Sequence, residues 1–222
     1  MHELTLTQEY MICAVDNKGK ISSFNVERLV CLLASGLLEL QLEGCILLDQ
    51  KTVTVTGALP EQKQYLKPLY DFLNQSSQRK PVKIEKVLEA YTYSVTDKNI
   101  TALFDSVGMS LKNIGLAEVS KAGLLGKRNT YIPCKEAVHY VIDMIRSELL
   151  ENVEVTEDIA SLVILLDKSD LLKTYFSKYE QREIKAKLKE ITGSDAGKAV
   201  AAMVAYIENL FALIVSLTVF YS

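Results

Sequence analysis

The stretch 197–222 most restricts what this chain can fold into. After Lys198 almost every residue is apolar, with Glu208 and Asn209 side by side near the middle. A run of this length can span a bilayer, for which about 20 apolar residues suffice. It equally suits a helix enclosed on all sides by other helices. A carboxylate at the bilayer centre costs about 2.5–3.5 kcal/mol on insertion scales. No group of Lys or Arg follows the run to hold it at a membrane surface. Ala199, Ala201, Ala202 and Ala205 permit close helix approach in either setting. The sequence therefore predicts a buried central helix, with the other helices each turning one apolar face towards it. A membrane anchor is the alternative.

With 222 residues the chain can bury one good-sized core, and we expect a single domain over 1–222. Its formal net charge of -3 gives no overall attraction to nucleic acid or anionic lipid, so any such binding needs a local patch. Cys13, Cys31, Cys45 and Cys134 form no CxxC pair, and each lies in or beside an apolar run. They read as small reduced hydrophobes, not as zinc ligands or disulfides. The N-terminus lacks the basic-then-apolar layout of a signal peptide, so a cytoplasmic location is expected.

Helical spacing and turn residues divide the rest. A helix opens at Thr5 or Thr7, and a Leu-rich second helix runs over 23–43, with Gly44 as its left-handed stop. Residues 45–49 and 52–56 predict a small β-hairpin. A helix from Pro60 to about Gln75 should kink or break at Lys67, ahead of Pro68. The polar loop 75–81 is the best linker candidate. Ile84, Val87, Leu88 and Tyr91 mark one face of a further helix, and another spans 97–114 up to Gly115. A second hairpin follows, tipped by Gly123-Leu-Leu-Gly126. Val138, Val141, Ile142, Ile145 and Leu149 then stripe a helix. Next come an acidic turn, an apolar helix through Leu166, and a charged helix over 177–191 that ends at Gly193. The fold class is mainly α: a single-domain helical bundle around the buried C-terminal helix, with small β-hairpins.

Catalytic signatures are missing. His2 and His139 are the only histidines, and His139 reads as a packed side chain. There is no HExxH motif and no metal-spaced Cys/His cluster. Gly123-Leu-Leu-Gly-Lys-Arg resembles a phosphate loop only superficially, because Lys121 and Arg128 stand where that motif needs Gly and Ser or Thr. We expect no enzyme, no metal and no cofactor.

Several segments together resemble the Golgi phosphoprotein 3 family. They are Leu4-Thr-Leu-Thr-Gln-Glu-Tyr, Gly36-Leu-Leu-Glu-Leu-Gln-Leu-Glu-Gly-Cys-Ile-Leu-Leu and Lys112-Asn-Ile-Gly-Leu, then the stretches 158–172 and 182–191. They stand in the family's order, and Glu39-Leu-x-Leu-x-Gly44 is the most specific. The resemblance implies a helical bundle around a buried apolar helix, with a protruding β-hairpin. It also implies a non-enzymatic peripheral adaptor. Eukaryotic members bind phosphatidylinositol 4-phosphate and help retain glycosyltransferases through coatomer. The chain looks most similar to the shorter prokaryotic members.

The family's headgroup pocket uses a tryptophan and several basic residues. In ungapped register from Glu39 the tryptophan position falls on Phe24 and a nearby arginine on Leu33. Counted from Gly115, two basic positions fall on Phe104 and Ser106. Phe24 keeps an aromatic surface, but the other three offer no cation, so the phosphoinositide pocket is expected to be degenerate. A shifted register would bring Arg28 or Lys112 there instead. On the second hairpin, apolar Leu124 and Leu125 sit between basic Lys121, Lys127 and Arg128. This layout suits contact with an anionic bilayer, where two buried Leu contribute roughly 3–5 kcal/mol and each basic residue about 1 kcal/mol. It also suits a protein partner or a second copy of the chain. Nucleic acid is the weakest option. The order of helix, helix and hairpin after Lys83 is that of a winged helix, but Asp97, Lys98, Asp105 and Lys112 balance one another along the would-be reading helix.

Overall fold

The computed structural model describes residues 4–49, 51–78, 80–92, 96–122, 128–151, 155–193 and 197–221, with side chains in the last helix up to Leu213, Ala199 excepted. It is a mainly helical single domain with two small antiparallel sheets.

Three helices form the centre. α1 (Leu6–Ala14) is buried at every position. α2 (Val26–Leu42) is buried without interruption from Val30 to Leu40. α7 (Glu157–Lys168) is buried from Ile159 to Leu166. These three pack on one another. Such helices are apolar all round because neighbours cover each face. At the start of α1 the Thr5 amide donates to Gln8 Oε1 at 3.3 Å. Thr156 caps α7 by accepting from the Ile159 amide at 3.3 Å.

The C-terminal helix was expected in this central place and does not hold it. α10 (Lys198–Tyr221) packs mainly on α7 and α9 (Lys178–Thr192). Val200, Met203, Ile207 and Leu210 are its buried face, while Ala202, Ala205, Glu208, Asn209 and Ala212 are exposed. The described part is thus a one-faced outer helix. Its Glu208 faces solvent and meets Lys168 at 3.5 Å. Among the described residues no helix is long and apolar enough to cross a membrane.

The sheets are short. β1 (Ile46–Leu48) and β2 (Thr52–Val55) form the predicted hairpin, and β3 (Val82–Lys83) adds a third strand through Thr52↔Lys83 and Val53↔Val82. The loop before β3 is therefore no domain boundary, because the chain returns to the same sheet directly after it. A 3-10 helix (Glu61–Leu66) gives way to α3 (Lys67–Ser76) at the point where Pro68 forces a break, Pro68 itself sitting in the first turn of α3. α4 (Ile84–Thr92) buries the four residues that the spacing selects, Ile84, Val87, Leu88 and Tyr91.

α5 (Lys98–Asn113) carries the second ribbon, β4 (Ala117–Ala122) and β5 (Arg128–Pro133), on its side. α6 (Lys135–Leu150) follows, and α8 (Leu172–Tyr175) leads into α9. His139, expected to be packed, is exposed on α6. Cys13, Cys31 and Cys45 are buried free thiols and Cys134 is half-buried and free, as the reading of small reduced hydrophobes requires.

Candidate functional site

The site builds outward from Tyr131 on β5. This side chain is buried and meets the ring of Phe104 edge-on, with centroids 5.6 Å apart. Its hydroxyl donates to Asp105 Oδ1 at 3.3 Å. Burial and the neighbouring Asp105 carboxylate push the phenol up to about 12. Gly108 lies under the ring, where a Cβ would overlap it. The ribbon can settle on α5 only because that position is Gly.

The loop between α1 and α2 is fastened to the same strand. Asp16 Oδ1 accepts from the amides of Lys18 and Lys20 at 2.8 and 3.2 Å, which closes a tight turn. The Tyr131 amide then donates to the Gly19 carbonyl at 2.8 Å. Gly19 has φ 70°, and a Cβ on it would stand 2.6 Å from the Tyr131 carbonyl carbon. Both facts require glycine. Gly19→Ala is expected to cost about 1–3 kcal/mol, read as a lower midpoint in urea with the slope unchanged. An unchanged midpoint would mean that the loop is not held to the ribbon in solution.

Between this loop, the N-terminal half of α5 and the ribbon's arms lies a cavity of about 230 Å³. Ile21, Leu29, Ile100, Phe104 and Ala122 line it with apolar surface. Lys20, Arg128, Asp97 and Asp105 bring charge to it. Asp97 is the N-cap of α5 with φ 49°, a left-handed backbone, and its carboxylate makes no capping hydrogen bond. Phe24 follows the lining Ser23 in the chain, is not itself part of the lining, and is 93% exposed.

The sequence-selected residues fall as follows. Arg128 is exposed at the cavity, close to the loop that carries Phe24. Lys121 is exposed on β4, faces Asn129 across the ribbon, and donates to Asn129 Oδ1 at 2.6 Å. Leu124, Leu125 and Lys127 lie outside the described residues. Of the positions set by register, Leu33 is fully buried in α2 and cannot face a headgroup. Phe104 lines the cavity, while Ser106 faces a separate cleft with Met109 and Tyr65. Arg28 is engaged elsewhere, its Nη1 donating to the Ala14 carbonyl at 3.2 Å. Lys112 is exposed and lines neither space.

Sequence reasoning missed Lys20, Asp97, Asp105 and Thr101 as lining residues. Asp16-Asn-Lys-Gly-Lys20 reads only as a turn, and no local pattern brings it to residue 97. Among the described residues no group of His, Cys, Asp and Glu could hold a metal ion.

Comparison with known proteins bears on this geometry. The family model described as Golgi phosphoprotein 3 (GPP34) matches residues 6–207. That span takes in the central helices, both sheets, the cavity and the first part of α10. No curated protein matches the sequence.

Proposed function

The chain belongs to the Golgi phosphoprotein 3 family, known for non-enzymatic adaptors that bind phosphatidylinositol 4-phosphate, and on that premise we propose a peripheral membrane adaptor whose phosphoinositide pocket is degenerate. It meets an anionic bilayer through the ribbon tip, Leu124 and Leu125 entering the apolar layer while Lys121, Lys127 and Arg128 face the headgroups.

The observation that carries this reading is the charge of the cavity beside Phe24. Lys20 and Arg128 are balanced there by Asp97 and Asp105. A phosphorylated inositol needs an excess of cationic donors, because charge-assisted hydrogen bonds supply most of the affinity for phosphate. Two carboxylates at the same opening oppose it. Anionic attraction then falls to the basic residues on the ribbon, of which Lys121 and Arg128 are exposed. The winged-helix alternative is weakened by packing: α5 is covered by α1, α3, α4, the 3-10 helix and both strands of the ribbon. Lys98 and Lys112 stand at opposite ends of its free edge.

Val119 and Ile132 are apolar and 40% and 39% exposed on the ribbon. They favour a second reading, in which the ribbon docks onto a protein partner or another copy of the chain.

Co-sedimentation with phosphatidylcholine, phosphatidylglycerol and phosphatidylinositol 4-phosphate vesicles separates the two. We expect binding to every anionic vesicle, weakening with salt, and falling by at least about tenfold in Leu124→Asp/Leu125→Asp. Binding to the phosphoinositide alone would overturn the degenerate pocket. No binding, together with self-association that the same double substitution abolishes, would replace the membrane reading with the docking one.

A further inference from the structure

The cavity beside Phe24 holds two cations and two anions, yet Lys20, Arg128 and Asp97 enter no ion pair among the described residues. Among the described residues Asp105 has only the Tyr131 hydroxyl as hydrogen-bond partner. Opposite charges that share a cavity without pairing leave room for a group that carries both signs. From this we infer that the cavity binds a zwitterionic headgroup with a primary ammonium and a phosphodiester, of the phosphoethanolamine type.

The chemistry of the lining selects this ligand over its neighbours. Lys20 and Arg128 supply donors to a phosphodiester oxygen, and the Arg fork can hold two oxygens at once. Asp97 and Asp105 accept from an ammonium, which has three donors to give. A quaternary ammonium has none, and it prefers a cage of aromatic faces. Here Phe104 is the one aromatic ring among the described lining residues. A polyphosphorylated inositol would bring several negative charges against two carboxylates. A phosphoethanolamine is neutral overall, as is the set of four side chains that meets it. Size agrees, because about 230 Å³ lies below the 300–1,000 Å³ typical of drug-sized ligand pockets. The space suits a headgroup and not a large cofactor. The backbone of Asp97 fits the same picture. Its φ of 49° is left-handed, a conformation that Asp adopts more readily than most residues. Here it accompanies a carboxylate that leaves its own helix uncapped.

This ligand class rests on the proposed membrane reading where the source is a lipid, but the headgroup chemistry itself can be tested apart from it. The first arm compares co-sedimentation with phosphatidylcholine/phosphatidylglycerol vesicles that contain or lack phosphatidylethanolamine. Phosphatidylethanolamine should tighten binding by about tenfold, the effect of one good charge-assisted hydrogen bond. Asp97→Asn should remove that increment. Asn tolerates the left-handed backbone, so the fold is kept. Phosphatidylethanolamine also loosens lipid packing, but packing defects act equally on wild type and variant and cannot produce the difference. The second arm titrates the full chain with soluble glycerophosphoethanolamine and with glycerophosphocholine by calorimetry. Heat with the first, none with the second and none with Asp97→Asn supports the assignment, even if no vesicle binds. Vesicle binding that ignores phosphatidylethanolamine, with no heat in the titration, overturns the assignment and leaves the ribbon reading standing. Failure in both arms with every vesicle overturns both.

Discussion

Glu39→Ala is expected to lower the folding stability by about 2–4 kcal/mol, because it breaks a buried network of charge-assisted hydrogen bonds and strands one of its donors. Glu39 is 2% exposed in the middle of α2. Its Oε2 accepts from the Thr7 amide at 3.0 Å. Its Oε1 accepts from Lys63 Nζ at 3.0 Å and from the Tyr65 hydroxyl. One carboxylate thus joins α2 to the start of α1 and to the 3-10 helix. Lys63 also meets Glu43 at 2.9 Å, so its ammonium keeps a partner in the variant. The Thr7 amide keeps none, and an unsatisfied buried donor alone costs about 1–3 kcal/mol. These carboxylates raise the Lys63 pKa against the opposing effect of burial. Urea unfolding of wild type, Glu39→Ala and Glu39→Gln checks the account. Gln retains one acceptor and the side-chain shape, so its loss should be smaller. A drop below about 1 kcal/mol for Ala, typical of surface pairs, would show that the network does not hold these elements together.

That network also marks where the sequence stops being legible. Glu39 opens the most specific of the family-like stretches, yet in isolation a Glu inside a Leu-rich helix reads as its exposed side. Only Thr7, Lys63 and Tyr65, from other parts of the chain, make its burial affordable. The true centre of the bundle was concealed for this reason, since α2 carries Ser35, Gly36 and Glu39 through its buried stretch. The C-terminal helix misleads in the opposite direction. Alanine counts as apolar in composition but tolerates solvent, so Ala202, Ala205 and Ala212 can line an exposed face beside Glu208 and Asn209.

Periodicity succeeds where packing is local. The stripe of α4, the break at Pro68 and the helix stops at Gly44 and Gly115 are each set by residues within a turn or two. The strand β3 was illegible because two residues carry no pattern. Its identity comes from pairing with β2, some 30 positions earlier in the chain. The cavity beside Phe24 follows the same rule. Arg128 and Phe24 were found from the ribbon and the family register, whereas Lys20, Asp97 and Asp105 meet there only through tertiary contacts.

Acidification from pH 8 towards pH 5 is expected to stabilise the protein, and Glu9→Gln to remove much of that dependence. Glu9 is 4% exposed on α1. Burial, and then the charges of Asp158, Glu39 and Glu148, raise its carboxyl from 4.5 to about 7. These groups approach from α7, α2 and α6, the helices packed on α1, while Cys13 lies one turn further along α1 itself. Lys63 offsets part of this charge through its bond to Glu39. The sign follows from proton counts. Between pH 4.5 and about 7 the folded carboxyl holds a proton that the unfolded chain has released. The stabilisation is full below the unfolded value and is lost as pH rises through the folded one. From 4.5 to about 7 the loss is on the order of 3 kcal/mol. Asp158, raised mainly by burial and then by Glu39, adds to the same trend. Glu180 acts oppositely, because the Ser177 amide and Arg146 lower its pKa and acid strips that stabilisation away. Unfolding midpoints measured from pH 4 to 8 should therefore peak in the acid range and fall towards neutrality. The gap between Glu9→Gln and wild type should be widest at pH 8, with the variant the more stable. A variant that tracks the wild-type profile in parallel would show that Glu9 is ionised in the folded protein and that the acids around it do not set its charge.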